Sequence, residues 1–421
     1  MNIQPQDSHT VVVGAGVIGV ATAYYLAQRG RKVTVLDQND ICSGCSRGNA
    51  GQITPGHLPL TQPGTLLRNL AWLCKPTSPL FIAPRFDVEL FRWLWRFHRC
   101  CNHAHLRKAT EMLCQLGSAS SLLFAQLAEE LDLDCHSQEH YQNQGRLEIC
   151  RTEASLHAVC QEAELLKTCG FEATPLRGNE VADFEPTISD KVAGAVYFPN
   201  SGSCDPHQFI LKLANAAETL GVKFCPHTHV QDLHVRNGRV TSLMTQDGKI
   251  ATDSVVLACG SWTPRLARRL GLRLPIQPGK GYHLDITKPV QSPKIPVVLV
   301  EDRVFVTPLG NGLRLAGTME LSGFNLLQRP VRLDMLAQAA ERYFPDVGKA
   351  QIHSRWCHLR PMTPDGLPVI GKTQRFENAW VATGHGMLGL TQGPITGQLL
   401  ADWIVDGQPQ FDLTQLSPDR F

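Results

Sequence analysis

The sequence predicts an α/β fold of two large domains that exchange chain segments, and three observations lead there. Its 421 residues are nearly three times a domain of about 150 residues. Residues 11–37 read as strand, glycine-rich turn, helix and second strand. The rest mixes helical and alternating patterns, with no repeat or low-complexity tract to link independent domains. Forty Lys+Arg balance 38 Asp+Glu, a net charge of +2, and 43% of residues are apolar. That composition excludes disorder and lacks the basic field of a nucleic-acid-binding protein.

In chain order, Val11-Val12-Val13 is a β-branched run, Gly14-Ala15-Gly16-Val17-Ile18-Gly19 a tight turn, Val20 to Gln28 a helix closed by Gly30, and Val33 to Leu36 a strand ending in Asp37. Gly14 permits the turn, Gly16 lets backbone approach a pyrophosphate, and Gly19 lets helix and strand pack closely. The helix N-terminus stabilises diphosphate charge, and Asp37 accepts hydrogen bonds from a ribose. Gly14, Gly16, Val17, Ile18, Gly19, Asp37 and Gln38 are therefore candidate dinucleotide contacts. Met1 to Thr10 carries no Lys or Arg, and glycines interrupt the apolar run from Val11 to Ala27. These features read against an export signal and toward the cytoplasm.

Further on, Leu211 to Leu220 reads as a helix. Val222 to Phe224, His227 to Leu233, Arg239 to Thr245 and Ile250 to Leu257 read as strands around turns at Asn237-Gly238 and Asp247-Gly248. Ala258-Cys259-Gly260 is another strand-to-glycine turn, and Val230 and Gly260 join the candidate cofactor contacts. Pro296 to Met319 alternates as strands, and Ile395 to Val405 is a closing amphipathic helix. Fourteen scattered cysteines form no disulfide framework, and the one CxxC, Cys42 and Cys45, has no second pair for a metal. His136 with His140, and His227 with His229 on one strand face, read as surface or packing residues; no metal site is expected.

The βαβ unit alone leaves NAD and FAD both open. Three later segments resemble the flavin-contacting segments of the D-amino-acid oxidase and dehydrogenase superfamily: Cys42 to Ile53, Arg360 to Gly371, and Thr383 to Leu390. With Gly279-Lys280-Gly281-Tyr282, Leu315 to Glu320 and Leu416 to Phe421 added, the chain resembles the bacterial FAD-dependent D-amino-acid dehydrogenases along essentially its whole length. The resemblance implies noncovalent FAD, held in a Rossmann-type FAD-binding domain (1–62, 203–270 and 353–421). It also implies an interleaved substrate domain on a mostly antiparallel sheet (63–202 and 271–352). Ser46, Asn49, Ala50, Gly51, Gln52, Gly384, Gly386, Met387, Leu388 and Gly389 are further flavin contacts by the same resemblance. The chain departs from the family's pattern at Cys42 and Cys45 and at Met387, which leaves the substrate side chain open among D-alanine, D-proline and hydroxy-D-proline. Some amine oxidases of the superfamily attach flavin through a cysteine near the position of Cys357, but the family resembled here binds it noncovalently.

Oxidative deamination of a D-amino acid or cyclic D-imino acid is the activity implied, with hydride passing from Cα to flavin N5 and electrons then going to a quinone or other carrier. Position and electrostatics are the protein's share of such chemistry. Arg360 is the candidate carboxylate ligand, because a guanidinium grips both oxygens. Tyr282 is a candidate second carboxylate or lid contact. His385, between glycines, either biases flavin charge or shapes its loop and is not expected to be a general base. The alternatives are an oxygen-using amine or imino-acid oxidase of glycine, sarcosine or proline type, and a flavin subunit of a multiprotein dehydrogenase.

Residues 85–101, read as a helix, place Arg92, Arg96 and Arg99 on one stripe and Phe91, Leu94, Trp95 and His98 on the next. Trp72 and Trp93, with Leu66, Leu67, Leu70 and Leu73, add apolar bulk nearby. Such a helix suits the headgroup region on the inner face of the plasma membrane, near a quinone pool. The alternative has Phe91 and Trp95 packing on the second domain, with the arginines solvated.

Overall fold

The computed structural model describes residues 8–65, 75–131, 141–189 and 191–421. Trp72, the Leu66 to Leu73 cluster and the His136/His140 pair lie outside them. The β-branched run becomes strand His9–Val13, at the centre of a six-stranded sheet. It pairs in parallel with Lys32–Leu36 on one side and Ser254–Leu257 on the other. Lys223–Cys225 and Ala379–Thr383 extend the parallel array outward, and Val369–Lys372 closes one edge antiparallel. The central strands are buried from their second residue on and mostly β-branched or aliphatic, as suits a sheet covered on both faces. Helices Val17–Gln28, Pro206–Thr219 and Gly389–Asp406 share one apolar core on one face of it.

Among the described residues nine strands form the larger sheet. Its backbone is the ladder of Ile352–Met362 on Gln277–Thr287 on Gly312–Leu321, all antiparallel, continuing through Val304–Leu309 and Val297–Leu299. Among the described residues its parallel pairings are those of Arg146–Cys150 with Val297–Leu299 and of Leu80–Ile82 with Gly312–Leu321. The expected mostly antiparallel sheet is there. Strand Ile352–Met362 belongs to it by pairing, so the expected boundary at 353 falls at the start of a strand that joins the two sheets in the chain.

Other boundaries shift for identifiable reasons. The first helix begins at Val17, because the glycine turn itself is helical from its fourth residue. Ile250 to Leu257 is two strands, Gly248–Ala251 and Ser254–Leu257, in different sheets, since the chain leaves the hairpin at Thr252. His227 is not in a strand: it has φ +54°, and Val230–Arg236 begins three residues later. The closing helix starts at Gly389, six residues early, and holds Pro394 as its sixth residue, which removes the N–H that would have bonded the Leu390 carbonyl. The helix expected over 85–101 spans Val88–Cys100, capped by the Asp87 carboxylate. Trp93 and Phe97 are its buried aromatics, whereas Phe91 and Trp95 are 55% and 58% exposed, so they do not pack on the second domain.

Candidate active site

A cavity of about 500 Å³ runs from the βαβ turn, past the Ser43 to Asn49 loop, to the Gly260 turn, the Arg360 strand and the His385 loop. Its first end is made mostly of backbone. Gly14 sits at φ +111°, and a Cβ there would come within 2.4 Å of the Ala258 carbonyl oxygen; one on Gly19 would meet the Gly14 carbonyl oxygen at 1.8 Å. Both positions therefore need glycine for the strand and helix to close on each other. Gly16 differs: its conformation is ordinary, and a Cβ would meet only Ser46 Oγ, at 3.1 Å. It faces the cavity. The helix that follows has no side-chain cap of its own, and the Val17 N–H donates to Ser46 Oγ at 3.0 Å. That helix start beside an open glycine fits a diphosphate.

Asp37 ends the second strand and lines the same cavity. Its carboxylate accepts from the Ala15 and Asn39 N–H groups at 2.7 and 2.9 Å. Burial nevertheless raises its pKa against those two bonds, so an added hydroxyl donor would relieve it. Thr228 to Gln231 and Gly260 border this end. A cavity with a ribose acceptor at one end, an anion-receptive helix start in the middle and a broad apolar far end matches FAD in chemistry.

The other end is made of side chains on strand Ile352–Met362. Trp356, His358 and Arg360 alternate onto one face, while Cys357 and Leu359 are buried on the other. Arg360 does not line the cavity itself, but His358, Leu359 and Pro361 do. Its guanidinium lies over Gly281, where a Cβ would come within 2.3 Å of Cζ, and Nη1 donates to the Thr318 carbonyl at 2.8 Å. Thr318 holds φ +58° to present that carbonyl. Among the described residues Arg360 has no carboxylate partner, and burial lowers its pKa, opposed by the Cys45 thiol. Cys45, pushed up to about 11 by burial, lines the cavity.

Tyr282 is elsewhere. It is 1% exposed, its hydroxyl donates to Glu320 at 2.7 Å, and burial with that bond raises its pKa. The register explains why: Tyr282 pairs with Cys357, on the face of the ladder opposite Arg360. Glu320 also takes Lys280 Nζ at 3.2 Å, and Lys280 in turn reaches Asn325 Oδ1 at 2.6 Å and the Leu327 carbonyl at 3.0 Å. Leu326, between those two anchors, lines the cavity. The Tyr282 neighbourhood thus supports a cavity-wall loop from behind.

His385 lines the cavity and is 5% exposed, with Nε2 3.0 Å from Thr396 Oγ1. Burial lowers its pKa to about 3, leaving it neutral. Of the other candidate cofactor contacts, Gly386, Gly389, Ser46, Asn49, Val17, Ile18, Gln38 and Val230 line the cavity. Gly384, Met387 and Leu388 do not: Gly384 packs on Thr363, the Met387 carbonyl accepts from Asn49, and the Leu388 N–H bonds the His385 carbonyl. Ala50, Gly51 and Gln52 also stand behind the wall, the Gln52 amide donating to Val297 O and Thr307 Oγ1. The cavity residues the motifs missed include Trp262, Arg265, Leu326 and His358. Only His358 carried a signal, its spacing of two from Arg360 on a strand.

The family model for FAD dependent oxidoreductases (DAO) matches residues 9–403. A D-amino acid dehydrogenase of Paramagnetospirillum magneticum is 36% identical over 422 aligned positions, 98% of each chain. One from Agrobacterium fabrum is 34% identical over 98% of this chain and 99% of its own. Among solved structures, glycine oxidase from Geobacillus kaustophilus superposes with a TM-score of 0.80 at 26% identity, covering 98% and 99% of the two chains. L-proline dehydrogenase from P. horikoshii shares the fold, with a TM-score of 0.76 at 20% identity over 99% and 98%. The glycine turn, the acid-ended second strand and the arginine held beside the cavity by the Thr318 carbonyl are thus set in a chain that belongs to the DAO family of FAD dependent oxidoreductases.

Proposed function

We propose that the protein oxidises a D-amino acid or cyclic D-imino acid at Cα, with noncovalent FAD as the immediate acceptor and a quinone or other carrier as the next. The observation that carries this reading is Arg360: a partly buried guanidinium beside the cavity, one N–H satisfied by Thr318 and no carboxylate partner among the described residues. An α-carboxylate would complete it through charge-assisted bonds. The names of the relatives, D-amino acid dehydrogenases at 34–36% identity, support the chirality.

The flavin supplies a hydride acceptor at N5. The chain holds and orients the substrate and keeps water out. Asp37, at the βαβ end, is the one carboxylate among the described residues that line the cavity. With His385 and His358 kept neutral by burial and tied into packed walls, the arrangement suits a substrate whose amine arrives already deprotonated. A second uncapped helix start, at Gly389, opens on the cavity and favours negative charge there. The Cys357 thiol donates to the Leu326 carbonyl from the far face of its strand, which supports noncovalent binding.

Anaerobic bleaching of the flavin by a panel of D- and L-amino acids tests the reading. D-amino or D-imino acids should bleach it and their L-enantiomers should not; a protein that no D-compound reduces overturns it. The likeness to glycine oxidase supports a second reading, in which oxygen accepts the electrons. Stoichiometric peroxide per turnover would select it.

The apolar surface favours a peripheral site on the cytoplasmic face of the membrane. Phe86, Val88, Phe91 and Trp95 are exposed along helix Val88–Cys100 and its approach, and the Arg99 guanidinium lies 4.9 Å from the Trp95 ring. Ala83 and Arg85 bond the Leu321 carbonyl, and beyond it Phe324, Leu326 and Leu327 are 45%, 48% and 70% exposed. The patch therefore reaches the wall residue Leu326. Among the described residues no helix is long and apolar enough to cross a membrane. Sedimentation with anionic liposomes at low salt, lost on Arg92/Arg96/Arg99→Glu, is the expected result; protein free of liposomes at every ionic strength excludes it.

A further inference from the structure

His358 stands two residues from Arg360 on the same face of the strand, roughly 6.6–6.8 Å along it, and lines the cavity. Its ring is held on both sides. Trp356 stacks on it at 5.6 Å and 17°, and Trp262 meets it at 5.6 Å and 53°. Trp356 is itself stacked on His283 at 5.0 Å and 8°. The edge bearing Cε1 and Nε2 faces the Gly44 backbone, where a Cβ would lie 3.4 and 3.8 Å from those atoms, and Gly44 is also a cavity residue. The imidazole thus has a fixed plane and a fixed hydrogen-bonding direction, a preorganisation a surface histidine lacks.

Neither nitrogen of this ring makes a side-chain hydrogen bond among the described residues, and Nδ1 is buried with no partner. Burial lowers the pKa to about 4 despite a weaker backbone contact at Leu359, so the ring is neutral at physiological pH. A neutral imidazole offers one donor and one acceptor and adds no charge. It neither competes with Arg360 for a carboxylate nor repels an ammonium. What it leaves unanswered is an uncharged hydrogen-bonding group, a few bonds from a carboxylate.

We propose that His358, with Trp262 and Trp356 fixing its ring, forms the side-chain subsite of the substrate pocket and selects substrates whose side chain carries a hydroxyl or amide. This inference rests on the proposed oxidation of D-amino or D-imino acids and names the substrate class. A side chain of that kind, on a substrate anchored at Arg360, extends along the strand to His358 and satisfies a polar group that an alkyl side chain of equal size leaves desolvated. Such a difference corresponds to about tenfold in binding.

Matched pairs in the holoenzyme test it: D-serine against D-2-aminobutyrate, and 4-hydroxy-D-proline against D-proline, by anaerobic flavin reduction. Wild-type kcat/KM should favour the hydroxylated member of at least one pair by about tenfold, mainly through KM. His358→Phe, which keeps a ring between the tryptophans, should bring that ratio to about one, and His358→Gln should restore part of it. A wild-type ratio of one or below overturns the proposal whether or not the variants retain FAD, and so does a preference that survives His358→Phe. If D-alanine and every other D-compound fail to reduce the flavin, the oxidation reading itself falls and this inference with it; if D-alanine reduces it and the pairs do not differ, only the subsite falls.

Discussion

The two ends of the cavity recognise by different means. The βαβ end offers backbone: an open glycine, the N-terminus of a helix and one acid at a strand end, all within residues 14–37. The Arg360 end offers side chains, and each depends on a partner distant in sequence: Arg360 on Thr318 and Gly281, Leu326 on Lys280, His358 on Trp262 and Gly44. Backbone recognition suits a cofactor that never changes, because a peptide N–H cannot mutate away. Side-chain recognition lets substrate choice vary on a constant scaffold.

The comparison breaks hardest at Gly16. Its φ of −78° suits any residue, so Gly16→Val should fold, yet its branches would fill the space that the open glycine leaves for a phosphate. The expected product is a colourless protein with native far-ultraviolet circular dichroism. A yellow variant with full FAD would show that the diphosphate lies elsewhere. At the other end Lys280→Met should cost about 3 kcal/mol, since it takes from buried Glu320 its most buried cationic partner and leaves it to the half-exposed Arg329 and the Tyr282 and Ser322 hydroxyls. It also frees the loop bearing Leu326, so KM should rise several-fold with FAD content intact. Unchanged KM would mean that this loop does not shape the substrate space.

Arg360→Lys is a smaller change, keeping charge and losing the fork. Charge-assisted bonds contribute about 1.5–3 kcal/mol, so kcat/KM should fall by roughly ten- to a hundredfold with FAD retained. Full kcat/KM would assign the carboxylate to another residue.

The same contrast decides what the sequence made legible. The backbone end is local, so the spacing Gly14, Gly16, Gly19, Asp37 predicted both the turn and its ligand class. The resemblance supplied Arg360, the antiparallel sheet and the His385 loop. Tyr282 was misplaced because which face it occupies depends on its pairing with Cys357, seventy-five residues away, and no local pattern fixes that register. Ala50 and Gly51 end a loop of which only one side lines the cavity, and Gln52 opens the short strand after it; a small-residue run does not say which side is which. Trp262 and Leu326 enter through tertiary packing alone.

The smallest expected effect concerns protons and compares the two ends directly. His385 stands by the cofactor loop and His358 by the Arg360 strand, with folded pKa values lowered by burial to about 3 and about 4 from an ordinary 6.5. The unfolded chain therefore binds protons more readily at both sites. Their stabilising contribution is complete above about pH 6.5 and is lost as pH falls from there toward 4. Each group can contribute a slope of up to about 1.4 kcal/mol per pH unit in that window. His57, lowered to about 4 by burial and Arg146, adds a third group. The holoenzyme's Tm should accordingly fall between pH 6.5 and pH 5, before most carboxylates titrate. His385→Phe and His358→Phe should each flatten that fall by a similar amount. If only the His385 variant does so, water reaches His358 in the folded state, and the substrate end is wetter than the cofactor end; a Tm independent of pH in this range would mean that neither ring is kept from protonation.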